Sequence, residues 1–295
     1  MLRVPCARSP ALVRCRVVSC AAEAQPLHML LSRRASLALL PSLAASAAAA
    51  AEPEVLTVDR LVGGSSFGSI ADALAAAPPG ATVRVAAGYY PERLLFEKAV
   101  TLEASAGALV TVEHVSDLPY ESTLVIECPG VVLRSLVVRH ESPSVAANYA
   151  VVVRDGGALT LARCDVRSAT GSGVGVEGGC VTATACAFHD CARHGAAVFG
   201  DLSGDAAGGT SVLEGCTFTA NRGHGVLVRD GAAVELRGCG VERNGAAGVA
   251  AVDATLTMVG CTVKGNRGGS VDVERLVGLS LEANALDVPP NARKL

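Results

Sequence analysis

Two histidines and a cysteine form the sharpest chemical constellation in the sequence. Cys191 and His194 are three residues apart, and His224 occupies an equivalent position thirty residues after His194. Thiolate and imidazole groups are ligands that zinc and copper ions prefer. If the two stretches lie side by side, Cys191, His194 and His224 predict a zinc or copper site. The alternative is that both histidines are solvated turn residues and that Cys191 is a small packed side chain.

The stretches are equivalent because the chain repeats itself. Five segments superimpose on a cysteine, at spacings of 22, 30, 23 and 22 residues. These cysteines are Cys164, Cys186, Cys216, Cys239 and Cys261. Five positions after them comes a second column, consisting of Ala169, Cys191, Asn221, Asn244 and Asn266. The long spacing contains an insertion, Gly200–Gly209, and both histidines fall eight positions after their cysteine.

Each repeat has the pattern of short strands joined by turns. Apolar and polar residues alternate, as in Val234–Arg237, and Gly, Asn and Asp separate the runs. The sequence therefore predicts an all-β fold, a right-handed single-stranded parallel β-helix with coils of roughly 22 residues. The asparagine column should bond along the stack, and the cysteine column should point inward. Buried free thiols are the favoured state of that column, with one or two disulfides as the alternative.

The ends of the solenoid need covers because they expose unpaired strand edges. A short capping helix is predicted over 66–79, with Ser66 or Ser69 as its N-cap. One face of this helix is apolar and contains Ile70, Ala73, Leu74 and Ala77. The coils are predicted over 82–275. A C-terminal cap and tail follow over 276–295, beginning with a last partial coil.

Residues 66–103 resemble the opening of the pectin-lyase-like superfamily. A helix ends in Ala76–Gly80, a strand follows, and Gly88–Glu92 then gives a Gly-x-Tyr-x-Glu motif. The cysteine–asparagine coils resemble the generic right-handed β-helix repeats of carbohydrate-binding and sugar-hydrolysis domains. The resemblance implies the fold over nearly all of 55–285. It leaves the function open, because many activities share this fold.

The motifs of the enzymes in this superfamily are incomplete. Gly88–Glu92 matches the first motif of pectin methylesterases, but the later motifs need Gln and Trp, which the chain lacks after residue 51. Gly223–Gly225 matches a fragment of the polygalacturonase signature, without its three aspartates. The acidic column at Asp155, Glu177, Asp230 and Asp253 is typical of turns, with a cation site as the alternative. No catalytic residue is predicted, and an enzyme is disfavoured.

Three functions therefore remain open. The first is a non-catalytic β-helix binding or scaffold protein that recognises a protein or carbohydrate partner. The second is a metal-binding protein with copper or zinc, and the third is a degenerate polysaccharide lyase or hydrolase. A stripe of Arg222, Arg243 and Arg267 is a candidate binding face for an acidic partner. The net charge of −3 disfavours nucleic acid, and no apolar run after residue 51 is long enough to span a membrane.

The first fifty-one residues have the layout of a targeting presequence. An arginine-rich, acid-poor region precedes an apolar stretch, Leu37–Leu43, and a small-residue run, Ala44–Ala51. Arg33 and Arg34 make the second part resemble a twin-arginine signal, and the first part resembles a chloroplast transit peptide. Together they predict the thylakoid lumen as the destination. A bacterial export signal, leading to the periplasm or secretion, and a mitochondrial presequence are the alternatives.

Overall fold

The computed structural model describes residues 53–61, 66–200 and 209–287. The predicted presequence over 1–51, with Arg33 and Arg34, lies outside these ranges. In chain order the elements are β1 (Val55–Val58), α1 (Ile70–Ala76), β2 (Thr82–Val85), β3 (Gly88–Tyr90), β4 (Leu94–Phe96), β5 (Thr101–Ala104), β6 (Val110–Val115), β7 (Leu124–Ile126), β8 (Val131–Arg134), β9 (Leu136–Glu141), β10 (Tyr149–Val153), β11 (Ala158–Ala162), β12 (Asp165–Ser168), β13 (Ser172–Glu177), β14 (Cys180–Thr184), β15 (Ala187–His189), β16 (Ala196–Phe199), β17 (Ser211–Glu214), β18 (Thr217–Thr219), β19 (Val226–Arg229), β20 (Ala233–Arg237), β21 (Gly240–Glu242), β22 (Val249–Val252), β23 (Thr255–Val259), β24 (Thr262–Lys264), β25 (Val271–Glu274), β26 (Gly278–Glu282) and β27 (Ala285–Leu286).

The strands form three parallel sheets, and each full coil contributes one strand to each sheet. Sheet A consists of β1, β2, β5, β8, β11, β14, β17, β20, β23 and β26. Sheet B consists of β3, β6, β9, β12, β15, β18, β21, β24 and β27, and sheet C of β4, β7, β10, β13, β16, β19, β22 and β25. All neighbouring pairs run parallel. The predicted all-β solenoid is confirmed.

The cysteine column lies inside the solenoid, at the corner between sheets A and B. The residue before each cysteine has a positive φ, and this bend turns the chain from one sheet to the next. The thiols are buried and point toward carbonyl groups of the preceding coil, as where Cys239 Sγ donates to Leu213 O at 3.1 Å. All cysteines that the structure describes are free thiols. Stacked side chains point in parallel, which holds neighbouring thiols out of disulfide geometry.

The asparagine column forms a hydrogen-bonded ladder at the corner between sheets B and C. Asn221 Nδ2 donates to Asn244 Oδ1 at 2.9 Å, and Asn244 Nδ2 donates to Asn266 Oδ1 at 2.8 Å. Each Asn also bonds the backbone, since Asn244 Nδ2 donates to Phe218 O at 3.0 Å. The predicted bonding along the stack is confirmed. It satisfies turn amides that would otherwise be buried without partners.

The N-terminal end is covered by helix α1, which is shorter than the predicted 66–79. Ser69 is the N-cap, and its hydroxyl accepts a hydrogen bond from Asp72 N at 3.1 Å. The predicted apolar face is buried on the first coil, with Ile70, Ala73, Leu74 and Ala77 inward. Sheet A also begins earlier than predicted, because β1 pairs with β2 ahead of the helix.

The C-terminal end continues the coils beyond residue 275. Strand β26 pairs with β23, and β27 pairs with β24, so the predicted last partial coil is present. Within the ranges that the structure describes, no helix has the length and apolar character needed to cross a membrane.

Replacing Asn244 with alanine tests how much the ladder contributes to the stability of the fold. The change removes four hydrogen bonds of this side chain and leaves two donors of Asn221 without their acceptor. Because buried unsatisfied donors are costly, we expect the free energy of unfolding in urea to fall by about 3 kcal/mol. Thr217→Ala, at an exposed site, is the control and should change it by less than about 0.5 kcal/mol. Similar losses for the two variants would contradict the ladder's role.

Candidate functional site

The two predicted histidines come together as a stacked pair. The rings of His194 and His224 have centroids 5.3 Å apart and planes that differ by 13°. The His224 backbone N–H donates to His194 Nδ1 at 3.0 Å, so one ring nitrogen of His194 is already used. Burial, together with the neighbouring His224 and Arg193, lowers the pKa of His194 to about 4. The imidazoles are half-buried and neutral at neutral pH rather than solvated.

Cys191 has a structural place in the asparagine ladder. Its N–H donates to Asn221 Oδ1 at 3.1 Å, and its thiol donates to His189 O at 3.5 Å. Burial raises the pKa of the Cys191 thiol to about 12, whereas metals bind the thiolate. Across the described ranges, no three His, Cys, Asp or Glu side chains converge to hold a metal ion. The zinc or copper site at Cys191, His194 and His224 stays a prediction.

The predicted arginine stripe lies on the exposed turn between sheets B and C. Arg222 and Arg267 occupy equivalent positions, because their N–H groups bond the same column one coil earlier, at Cys191 O and Asn244 O. The intervening coil has Gly245 there, and Arg243 lies two residues before it with a positive φ. The stripe is therefore interrupted, and its role as a binding face stays a prediction.

A more concentrated polar site lies on the outer face of sheet B. The strand register aligns Glu113 with Arg139, and Arg139 with Arg167, on successive coils. His189 continues this outward column on β15, because Val166 pairs with Phe188 and the next residues are Arg167 and His189. Side chains that alternate with these, such as Val138 and Val166, point inward and are fully buried. Because successive side chains of a strand point to opposite faces, the apolar residues pack inside the solenoid and the charged residues between them lie on the outer face.

Arg139 and Arg167 flank a cavity of about 280 Å³ in this face. Both side chains are half-buried, Arg139 Nε has no hydrogen-bond partner, and among the described residues neither guanidinium forms an ion pair. Carboxylates of Glu113, Glu141 and Asp190 complete the lining. The two guanidinium groups on adjacent strands can both donate hydrogen bonds to an anionic group, and the three carboxylates offer acceptors beside them.

His189 stands beside the cavity between two carboxylates. Its Nε2 lies 2.9 Å from Asp165 Oδ2, and its Nδ1 lies 2.7 Å from Asp190 Oδ2. Burial lowers the pKa of His189, but the hydrogen bonds and charges of Asp190 and Asp165 outweigh it and raise the pKa above the ordinary value. The His189 imidazole therefore bridges the two carboxylates on the face of the sheet, and its raised pKa shows that they favour its protonated form.

A buried polar chain fixes the segment that borders the site. His140 Nδ1 lies 2.8 Å from Ser168 Oγ, and its Nε2 lies 2.9 Å from Glu121 O. Ser168 Oγ accepts the N–H of Gly171 at 2.8 Å. The Glu121 carbonyl can only accept, so Nε2 of the neutral ring carries the hydrogen and Nδ1 accepts the Ser168 hydroxyl. Burial lowers the pKa of His140 to about 4, and the neutral ring donates to the Glu121 carbonyl. The 116–123 segment is thereby tied to sheet B.

Aromatic side chains are exposed at the same end of the solenoid. Tyr89 is 50% exposed and Tyr120 is 59% exposed. Tyr89 lies on the outer face of sheet B, where the register aligns it with Thr111 on the next strand. The other two tyrosines that the sequence offered, Tyr90 and Tyr149, are buried.

The Gly88–Glu92 motif, which resembles the first motif of pectin methylesterases, has a structural role. The Glu92 carboxylate accepts the N–H groups of Ile70 and Ala71 at 3.1 and 2.8 Å, at the start of helix α1. The acidic turn column is likewise used internally. Asp230 and Asp253 have positive φ, and Arg275 binds Asp253 with two hydrogen bonds of 2.8 Å.

Comparison with protein families decides the class of the fold. The model described as "Right handed beta helix region" matches residues 139–286. The chain belongs to this right-handed β-helix family. The matched region begins at Arg139 and includes Arg167, His189 and the whole asparagine ladder.

Two solved pectin methylesterase structures share this fold at low identity. Pectin methylesterase PemA from Erwinia chrysanthemi has a TM-score of 0.53 and 13% identity, covering 82% of this chain and 92% of that chain. A pectin methylesterase in complex with a hexasaccharide has a TM-score of 0.52 and 13% identity, covering 81% and 92%. A variant of the periplasmic alginate epimerase AlgG has a TM-score of 0.48 and 12% identity, covering 70% of this chain and 51% of its own length. This β-helix thus spans about half the length of the epimerase. Among curated protein sequences, none matches.

The titration of His189 tests the geometry of the site. Because the two carboxylates raise its pKa, we expect a value above about 6.5 by NMR and a lower value in Asp165→Asn. The raised pKa contributes stability that is present below pH 6.5 and is lost as the pH rises through the folded value. His140, with a pKa of about 4, is the internal control and should not move. A His189 pKa unaffected by Asp165→Asn would refute the contact.

Proposed function

We propose that this β-helix is a non-catalytic carbohydrate-binding protein that holds an acidic oligosaccharide on the outer face of sheet B. The observation that carries the proposal is the pair of half-buried guanidinium groups of Arg139 and Arg167, unpaired among the described residues, in one cavity. Arginine binds carboxylates with two parallel hydrogen bonds, and two arginines on adjacent strands can hold one carboxylate from both sides.

The carboxylates of the cavity can bind the hydroxyl groups of an acidic sugar. Glu113, Glu141 and Asp190 can accept hydrogen bonds from hydroxyl groups while the guanidinium groups donate to a carboxylate. A volume of about 280 Å³ is slightly below the roughly 300 Å³ at which ligand pockets usually begin. The cavity therefore holds one sugar unit, and the rest of the oligosaccharide lies along the outer face of sheet B.

Tyr89 offers a second contact for an extended ligand. It lies two strands before Arg139 in sheet B, and the register places it two residues nearer the start of the strand, so the two backbone positions are separated by about 12 Å. An exposed aromatic ring has an apolar face that can stack on a sugar ring. The fold itself is shared with carbohydrate-active enzymes, including a pectin methylesterase bound to a hexasaccharide, which supports a sugar ligand.

The arrangement of acids argues for binding without catalysis. Hydrolysis of a glycosidic bond requires two carboxyl groups placed on either side of it. Here Asp165 and Asp190 both hydrogen-bond the His189 imidazole and are not free to form such a pair. We assign the other two acids of the cavity, Glu113 and Glu141, to the hydroxyl groups of the sugar. We also propose an exported location in the thylakoid lumen, which rests on the predicted presequence over 1–51 and its Arg33–Arg34 pair.

Calorimetric titration with oligogalacturonate, against a neutral methyl-esterified oligomer of equal length, tests the proposal. We expect the acidic oligomer to bind more tightly, and Arg139→Ala or Arg167→Ala to weaken it about 10- to 100-fold, because a charge-assisted hydrogen bond contributes about 1.5–3 kcal/mol. Thermal unfolding verifies that each variant is folded.

Arg222→Ala is the matched control, since Arg222 is an exposed arginine on the neighbouring corner. Its affinity for the acidic oligomer should equal that of the unaltered protein. Loss of binding in Arg222→Ala alone would show that the oligomer binds at the predicted arginine stripe instead. Equal affinity for acidic and neutral oligomers would contradict a role for the guanidinium pair.

A further inference from the structure

The N-terminal edges of sheets A and B are blocked. Strand β1 of sheet A is covered by Phe67, whose N–H donates to Thr57 O and whose carbonyl accepts Asp59 N–H, both at 2.9 Å. Strand β3 of sheet B has its Tyr89 carbonyl bound by Arg60 Nη1 at 2.6 Å. Such blocking is how proteins prevent a strand edge from pairing with another chain.

The N-terminal edge of sheet C, at β4, is different. Leu94 N–H donates to Thr123 O, and the Phe96 carbonyl accepts Glu127 N–H, so these two residues bond the side of β7. In a parallel pair only alternate residues face a given neighbour, and the backbone groups of Leu95 therefore point away from β7. Among the described residues no strand pairs with this second side of β4. The Leu95 side chain is 48% exposed.

Helix α1 lies beside this edge but cannot pair with it. Glu92 holds the start of the helix, and Lys98 Nζ donates to Ala75 O at 3.0 Å near its end. The N–H and C=O groups of a helix point along its axis rather than sideways, so the helix does not present the groups that a strand edge needs. A cavity of about 550 Å³ remains between helix and strand, and Ala71, Leu74 and Leu95 line it.

We propose that the β4 groove, formed by Leu94–Phe96 and helix α1, binds an extended peptide of a partner protein as an added parallel strand. Addition of a strand to an open edge satisfies the edge groups with main-chain hydrogen bonds, and side chains then select the sequence. This site is separate from the sugar-binding face and does not depend on it.

The side chains of the edge specify the peptide. Arg93, Leu95 and Glu97 alternate along the strand, and all three are exposed. In a parallel pair, residues directly opposite one another interact, and opposite charges stabilise the pairing. The partner segment therefore has an acidic, an apolar and a basic residue at alternate positions, in that order from its N-terminus.

Fluorescence anisotropy with a labelled, blocked heptapeptide, Ser-Glu-Thr-Val-Thr-Lys-Ser, tests the groove on the full chain. We expect saturable binding that is at least tenfold tighter than that of the charge-reversed peptide, Ser-Lys-Thr-Val-Thr-Glu-Ser. Leu95→Pro removes only an N–H that points outward and should abolish binding, whereas Leu95→Thr retains that donor and should preserve it.

A double exchange, Arg93→Glu with Glu97→Arg, remains informative if Leu95→Pro does not fold. It should reverse the preference, so that the charge-reversed peptide binds more tightly. Absence of binding, binding without regard to charge order, or unchanged binding by a folded Leu95→Pro variant would overturn the proposal. Self-association in sedimentation experiments without peptide binding would also overturn it, because it would assign the edge to a second copy of the chain.

Discussion

The spacing of the parallel strands is the constraint on which the rest of the structure depends. Backbone hydrogen bonds place successive coils about 4.8 Å apart, so each side chain lies directly above its equivalent in the next coil. Inside the narrow solenoid this repeat stacks like side chains on one another in several columns. Phe188 and Phe218 stack with centroids 5.0 Å apart, Asn221 bonds Asn244, and the cysteines form a column of small thiols.

The same constraint leaves the outer faces of the sheets free to carry function. Inward columns are fixed by packing, but the alternating outward residues change from coil to coil without disturbing the core. On sheet B these positions collect Arg139, Arg167 and the His189 bridge on adjacent strands. On sheet C the outer surface is instead apolar, and Tyr149 lies against Gly175, where a Cβ would come within 2.4 Å of the ring.

The columns explain why the fold could be predicted from the sequence. A cysteine and an asparagine at constant offsets mark two corners of each coil, and the structure has positive φ at the residue before each of them. The helix was predicted from its apolar face, but its start depended on whether Ser66 or Ser69 accepts the capping hydrogen bond, which the sequence leaves open. Strand β1 was missed because Val55–Val58 is separated from its partner β2 by the helix.

The candidate site was missed for a similar reason. Arg139 and Arg167 fall three residues after Leu136 and Cys164, which share one inward column, but an overlay that requires cysteine stops at Cys164. Accepting leucine in that column would have aligned the two arginines. Conversely, the alignment of Cys191, His194 and His224 was sound, but spacing alone does not show that the thiol is protonated and that His194 Nδ1 accepts a backbone hydrogen bond.

We propose that the guanidinium pair on sheet B receives a sugar carboxylate. A crystal structure of the protein with an acidic oligosaccharide tests this binding mode most directly. We expect a carboxylate within about 3 Å of guanidinium nitrogens of both Arg139 and Arg167, with the ligand extending along sheet B toward Tyr89. An oligosaccharide bound on another face, while this cavity is open to solvent in the crystal, would contradict it.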